Sequence, residues 1–203
     1  MPLPLEEHVR QVLLERDRGQ RFFDAAQKGW VAFSEQYPQR HTWRRKSSAR
    51  HMVWEEVVRR LMVVAADDPG IVPIEHRDTL SLVVDNEVLF RVKHADSALV
   101  TRNYPTEEAR DFDNHEVDLY GFSGLQRVKL CYVPDQFESE LIWVGVSASN
   151  RGKFLWKIQL DGAGTVAAPE MLPLVQAEED TSKLVRLKKN NANVGKDKKS
   201  DGK

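Results

Sequence analysis

The spacing of apolar residues changes once along this chain, from steps of three and four before Gly70 to steps of two after it. That switch predicts a helical layer followed by a β layer. Leu5, Val9, Val12 and Leu13 recur on one helical face after Pro4, a residue suited to a first turn. Beyond a weak point at Gly19, the residues Phe22, Phe23, Ala26, Trp30, Phe33 and Tyr37 form a second stripe that Pro38 closes. The two segments read as two helices or as one kinked helix. The aromatic density of the second stripe is that of a core-facing surface, because aromatic side chains bury the largest areas. A third helix over residues 52–66 carries Val53, Val57, Leu61 and Val64 on one face and Trp54, Val58 and Met62 beside it. Ser47 or Ser48 suits its cap, and Asp67-Asp68-Pro69-Gly70 stops it.

After Gly70, Leu80, Leu82 and Val84 alternate with Ser81 and Val83, and Asp85-Asn86 makes a two-residue turn into Val88, Phe90 and Val92. Thr106 followed by Glu107 and Glu108 reads as the cap and acidic first turn of a short helix ending near Phe112. Strands follow over residues 125–133, 141–146 and 153–160. In the last, Phe154, Trp156, Ile158 and Leu160 are expected on one face, with Lys153, Lys157 and Gln159 on the other. The fold class expected is α+β: N-terminal helices packed on one face of an antiparallel meander of about five strands. Residues 1–175 form one domain in this reading, helical over 1–66 and mainly β over 67–175. The lysine-rich segment 176–203, which lacks aromatics, is expected to be a disordered basic tail.

With 203 residues, 41% of them hydrophobic, the chain can close one sizeable core and is too short for two comfortable domains. No run of residues approaches the length of apolar sequence that a membrane span requires. The opening residues lack the basic and apolar stretches of a secretion signal, which predicts a cytoplasmic address and no membrane partner. The single cysteine, Cys131, excludes an internal disulfide and a thiolate metal cluster, and its apolar neighbours predict a buried, inert thiol.

The formal net charge of −1 hides a segregation: +4 over residues 1–66, −11 over 67–182 and +6 over 183–203. An acidic middle repels polyanions, and the basic stretches beside it either attract them or fold back onto it. The first candidate site lies in the basic segment Arg40, His41, Trp43, Arg44, Arg45, Lys46 and Arg50. Its cations can neutralise phosphates and Trp43 can stack on an unpaired base. The plainer reading is a solvated linker docked on the acidic part of the chain, with Trp43 packed at the core edge. A second cluster, Glu107, Glu108, Asp111, Asp113, Asn114, His115, Glu116 and Asp118, offers clustered oxygens but lacks the glycine and glutamate positions of a Ca²⁺ loop. Asp85, Glu87 and Lys93 follow the order of a metal-dependent nuclease, with Arg91 standing where a carboxylate belongs. No phosphate loop, nucleophile elbow, zinc-protease helix or dinucleotide fingerprint is present, and the six histidines are scattered. The reading therefore leans against an enzyme and assigns no catalytic residue, cofactor or metal.

Asn103-Tyr104-Pro105-Thr106-Glu107-Glu108-Ala109, the strand at 125–133 and the closing Gly152-Lys153-Phe154-Leu155-Trp156-Lys157-Ile158-Gln159-Leu160 resemble a group of bacterial proteins. Members of that group are encoded beside a helix-turn-helix regulator, sometimes fused to a metallopeptidase-like domain. The resemblance covers roughly residues 78–160 and carries no catalytic motif. It implies the effector of a toxin–antitoxin or phage-defence module, acting on a macromolecular partner, with the cognate regulator as its neutralising protein. The alternatives are a nucleic-acid-binding protein or nuclease using residues 40–51, and a non-catalytic interaction domain.

Overall fold

The computed structural model describes residues 3–77, 79–101 and 106–162, with the backbone alone at Lys46. The predicted boundary at 175, the tail at 176–203 and the Asn103-Tyr104-Pro105 part of the resemblance lie outside them. The described residues belong to one compact unit. Helices α1 (Glu6–Leu14), α2 (Arg18–Gln36) and α3 (Lys46–Asp67) come first. Strands β1 (Ile71–His76), β2 (Thr79–Val84) and β3 (Val88–His94) follow, then α4 (Glu107–Asn114), then β4 (Gln126–Pro134), β5 (Leu141–Asn150) and β6 (Lys153–Gln159). The fold is α+β. No described helix is long and apolar enough to cross a membrane.

The break between α1 and α2 falls at Arg16 and Asp17, whose φ angles are 52° and 55°, and not at Gly19, which lies inside α2. Buried ion pairs of Arg18, described below, place the corner there and leave Gly19 helical. α3 opens six residues earlier than its apolar stripe, on Arg45, so Ser47 and Ser48 lie in its first turn and do not cap it. Thr106 does cap α4: its hydroxyl oxygen accepts from the Ala109 N–H at 3.2 Å.

The sheet has six strands in the order β1-β2-β3-β4-β5-β6. This corrects the expected five. β1 was hidden because it is an edge strand, containing Pro73 and exposing Val72 and Glu75, so it lacks the alternation of a half-buried strand. The meander is also interrupted: β3 and β4 are parallel, with Arg91 beside Lys129 and His94 beside Tyr132, and α4 lies in the connection between them. The other pairs are antiparallel. At the β2–β3 hairpin Asp85 and Asn86 take φ of 51° and 56°, as the sequence suggested.

One face of the sheet packs on α1, α2 and α3 through Leu82, Val84, Phe90, Val92, Val128, Leu130, Val146 and Ile158. Phe22 of α2 meets Phe90 of β3 edge-on at 5.7 Å between ring centroids. The opposite face is covered in part, with Phe112 of α4 closing on Val83, Leu89 and Leu125. Phe154 is a second correction. The register of β5 and β6 shifts after Ala148, so that Ala148 opposes Trp156 but Ser149 opposes Phe154. Leu155 is the extra residue, and this bulge turns Phe154 onto the face away from the helices, where it is 47% exposed.

Candidate functional site

The basic segment divides into residues that hold the fold and residues that do not. Arg40 donates to the carbonyls of Ser34 (3.3 Å), Tyr37 (3.4 Å) and Glu138 (3.5 Å), and its guanidinium lies 5.6 Å from the centre of the Phe33 ring. His41 Nδ1 lies 3.2 Å from the Pro38 carbonyl. Trp43 packs against Phe33 and Tyr37, at 6.3 and 5.4 Å between centroids, so its ring belongs to the edge of the core. Arg44, Arg45 and Arg50 stand exposed and have no ion-pair partner among the described residues. Lys46 opens α3.

The acidic cluster is spread out as counter-ions to the sheet face away from α1–α3. Glu108 accepts from Arg91 Nη2 (2.9 Å) and from the Tyr120 hydroxyl (2.5 Å), and lies 2.9 Å from His76 Nδ1. Asp113 accepts from Lys129 Nζ (3.2 Å), from the Ser149 hydroxyl and from the Gly152 N–H. Burial opposes its charge, yet these donors and the charge of Lys129 hold the Asp113 carboxyl below the usual carboxylate range. Glu116 pairs with Arg151, and Asp118 accepts from the Gly124 N–H at 3.1 Å. Among the described residues no three His, Cys, Asp or Glu side chains gather as a metal-holding group. A cavity of about 670 Å³ remains between α4 and this face, with Arg91 and Lys129 in its wall and the Phe112 ring 4.2 Å from the Arg91 guanidinium carbon.

The nuclease-like trio is not brought together. Asp85 is held by Arg18 (Nη2 to Oδ1, 2.9 Å), and Glu87 meets His8 Nε2 at 3.1 Å. Lys93 lies near the far end of β3. Cys131 is 1% exposed beside Ser147, and burial pushes its thiol up to about 11, which leaves it protonated at neutral pH.

A second cavity, of about 780 Å³, lies where the amino-terminal half of α3 passes the start of β2 and the end of β3. Its deeper wall holds Trp54, Leu80, Lys93, His94 and Tyr132, and Arg50 stands at its edge. Tyr132 is 1% exposed, and its hydroxyl meets no hydrogen-bond partner among the described residues. The His94 ring contacts it edge-on at 5.7 Å. Burial, with Arg50 adding to it, pushes His94 down to about 4, so the ring is neutral at pH 7. Burial, with Arg91 and Lys129 adding to it, pushes Lys93 down to about 8, so it remains mostly charged there. Of these residues the sequence singles out Arg50, in the basic segment, and Lys93, in the nuclease-like trio. Trp54 carried an apolar-stripe signal alone and Tyr132 only the signal of a strand, because what they share is a place in the wall of one cavity formed across the fold. Comparison with protein-family models, with curated proteins and with solved structures found no match for this chain.

Proposed function

We propose that the chain works by binding a macromolecular partner with an anionic surface, and that Arg44, Arg45 and Arg50 are its contact. The observation supporting this reading is a contrast in charge pairing. Arg18, Arg60, Arg91, Lys129 and Arg151 each have a carboxylate within 4 Å, whereas these three exposed arginines have none among the described residues and cluster within seven residues, unlike the equally unpaired Arg77, Arg110 and Lys153, which lie apart in the chain. Exposed cations without counter-ions raise encounter rates with polyanions and lose nothing by pairing late. The cellular setting we propose is the cytoplasm of a bacterium, with the chain as effector of a toxin–antitoxin or phage-defence module and its cognate regulator covering it. Expression of the chain alone is expected to slow bacterial growth, and Arg44→Ala/Arg45→Ala to relieve the effect. Unimpaired growth with the wild-type chain rejects the effector role.

The second reading, single-stranded nucleic acid as the partner, is favoured by the two adjacent exposed arginines just before α3. It is limited to backbone contacts, because Trp43 is engaged in the core edge. Fluorescence anisotropy with a mixed-sequence oligonucleotide is expected to give affinity that falls with added salt. Arg44→Ala/Arg45→Ala is expected to flatten the log–log slope by about 1.4, from about 0.7 per phosphate contact. No binding at low salt removes nucleic acid and leaves a protein partner.

A further inference from the structure

Beyond that surface, we propose that Lys93 is a reactive amine that forms an imine with a small anionic aldehyde on the sheet face away from α1–α3.

Val92 packs in the core beneath the helices, so Lys93, the next residue of β3, lies on the opposite face with Arg91. The parallel register sets Lys129 of β4 beside Arg91, and Cys131 beside Lys93. The charged and titratable groups that face the amine are Arg91 on its own strand, Lys129 and Cys131 on β4, and Glu108 on α4. Glu108 is paired with Arg91, and Asp113 with Lys129. Lys93 has neither an ion pair nor a hydrogen bond among the described residues, and its nitrogen still reaches solvent. A partly desolvated lysine beside other cations gives up its proton readily and becomes a nucleophile near neutral pH. Burial first, then Arg91 and Lys129, push Lys93 down to about 8, so roughly a quarter of it is neutral at pH 7.5.

The same charges select the substrate. Arg91, Lys93 and Lys129 outnumber Glu108 and Asp113 on this part of the face, which favours a molecule that brings its own negative charge. The cavity of about 670 Å³ that has Arg91 and Lys129 in its wall lies one row along the sheet and gives room for it. In the reaction the amine lone pair attacks the carbonyl carbon and the nitrogen proton passes to the oxygen. The carbinolamine then expels water as the C=N bond forms, with no oxidant or reductant needed.

The test is incubation of the full chain with 4-carboxybenzaldehyde at pH 7.5, trapping of imines with cyanoborohydride, and peptide mapping by mass spectrometry. Trapping at Lys93 is expected to be at least tenfold faster than at the exposed, unpaired Lys153. That ratio is expected to fall between about pH 8 and pH 10, because Lys93 is already neutral there while ordinary lysines gain reactivity up to about 10.4. The uncharged methyl ester of the probe is expected to show at least threefold less preference for Lys93. Lys129→Gln removes a neighbouring cation and is expected to slow trapping at Lys93 at least threefold at pH 7.5, with trapping at Lys153 unchanged. Arg44→Ala/Arg45→Ala is expected to leave the pattern as in wild type, which separates this site from the macromolecular contact. The proposal is overturned if Lys93 is trapped no faster than Lys153, or if the ester shows the same preference. It is also overturned if Lys129→Gln leaves the rate at Lys93 unchanged, the result for an amine that its neighbours do not influence.

Discussion

Asp68→Ala is expected to lower the unfolding free energy by about 3–5 kcal/mol, measured by urea denaturation followed by circular dichroism, because it strips a buried guanidinium of the one of its two hydrogen-bonded carboxylates that is itself fully buried. Arg18 is 1% exposed and donates through Nε to Asp68 Oδ2 at 2.8 Å and through Nη2 to Asp85 Oδ1 at 2.9 Å. Asp68, also 1% exposed, accepts further from Arg16 at 3.1 Å and from the Gly70 N–H at 2.9 Å. One cluster thus ties the start of α2, the end of α3 and the β2–β3 turn. A Cβ on Gly70 would come within 2.4 Å of both Arg18 Nη2 and Asp85 Oδ1, so a larger residue there would push these side chains out of their present pairing. The pH dependence has a definite sign. Hydrogen bonds from Arg18, and then from the Gly70 N–H, hold the Asp68 carboxyl below its usual range although burial opposes them. Its stabilisation is therefore complete above the unfolded-state pKa of about 3.9 and is lost as pH falls through the lower folded value. Wild type is expected to lose stability on acidification below about pH 4 more steeply than Asp68→Ala. Equal slopes, or a loss under 1 kcal/mol at pH 7, would show that water already reaches the cluster.

Gly29→Val is expected to destabilise the chain by about 3 kcal/mol, seen as a fall in Tm of about 6–12 °C. A Cβ at position 29 would lie 2.7 Å from Val57 Cγ2 and 2.9 Å from both the Cα and the N of Val57. Two of those three atoms are backbone, so relief requires α2 and α3 to separate, which opens the packing around Phe22, Trp30 and Leu61. Gly29→Ala poses the sharper test. Helix propensity alone would stabilise it by about 1 kcal/mol, and the overlap with Val57 is expected to outweigh that gain. A stabilised Gly29→Ala would mean that the helices are free to move apart.

Much of the layer order was legible in the chain. Val9, Val12 and Leu13, and the longer stripe from Phe22 to Tyr37, point to α1 and α2 because helical burial leaves a local period, whereas Leu5, expected in the same stripe, precedes α1 and is 62% exposed. Asp85-Asn86 and Thr106 point to a turn and a cap because both act within four residues. The candidate site was legible only in part. Of its seven marked residues, Arg40 and Trp43 make contacts within the fold, since a cation or an indole is equally suited to a carbonyl, a ring or a phosphate and only its surroundings choose.

Local spacing and charge determined that this protein places helices before strands, turns near Gly70 and buries its one thiol, since each follows from forces acting within a few residues. Tertiary structure alone decided that β3 runs parallel to β4, that Pro73 belongs to an edge strand and that a bulge at Leu155 exposes Phe154. It alone also decided that the acidic run neutralises Arg91 and Lys129, and that Tyr132 shares a cavity wall with the start of α3, more than 80 residues away in the chain. These depend on long-range pairing and on low-dielectric burial, and neither leaves a period in the sequence.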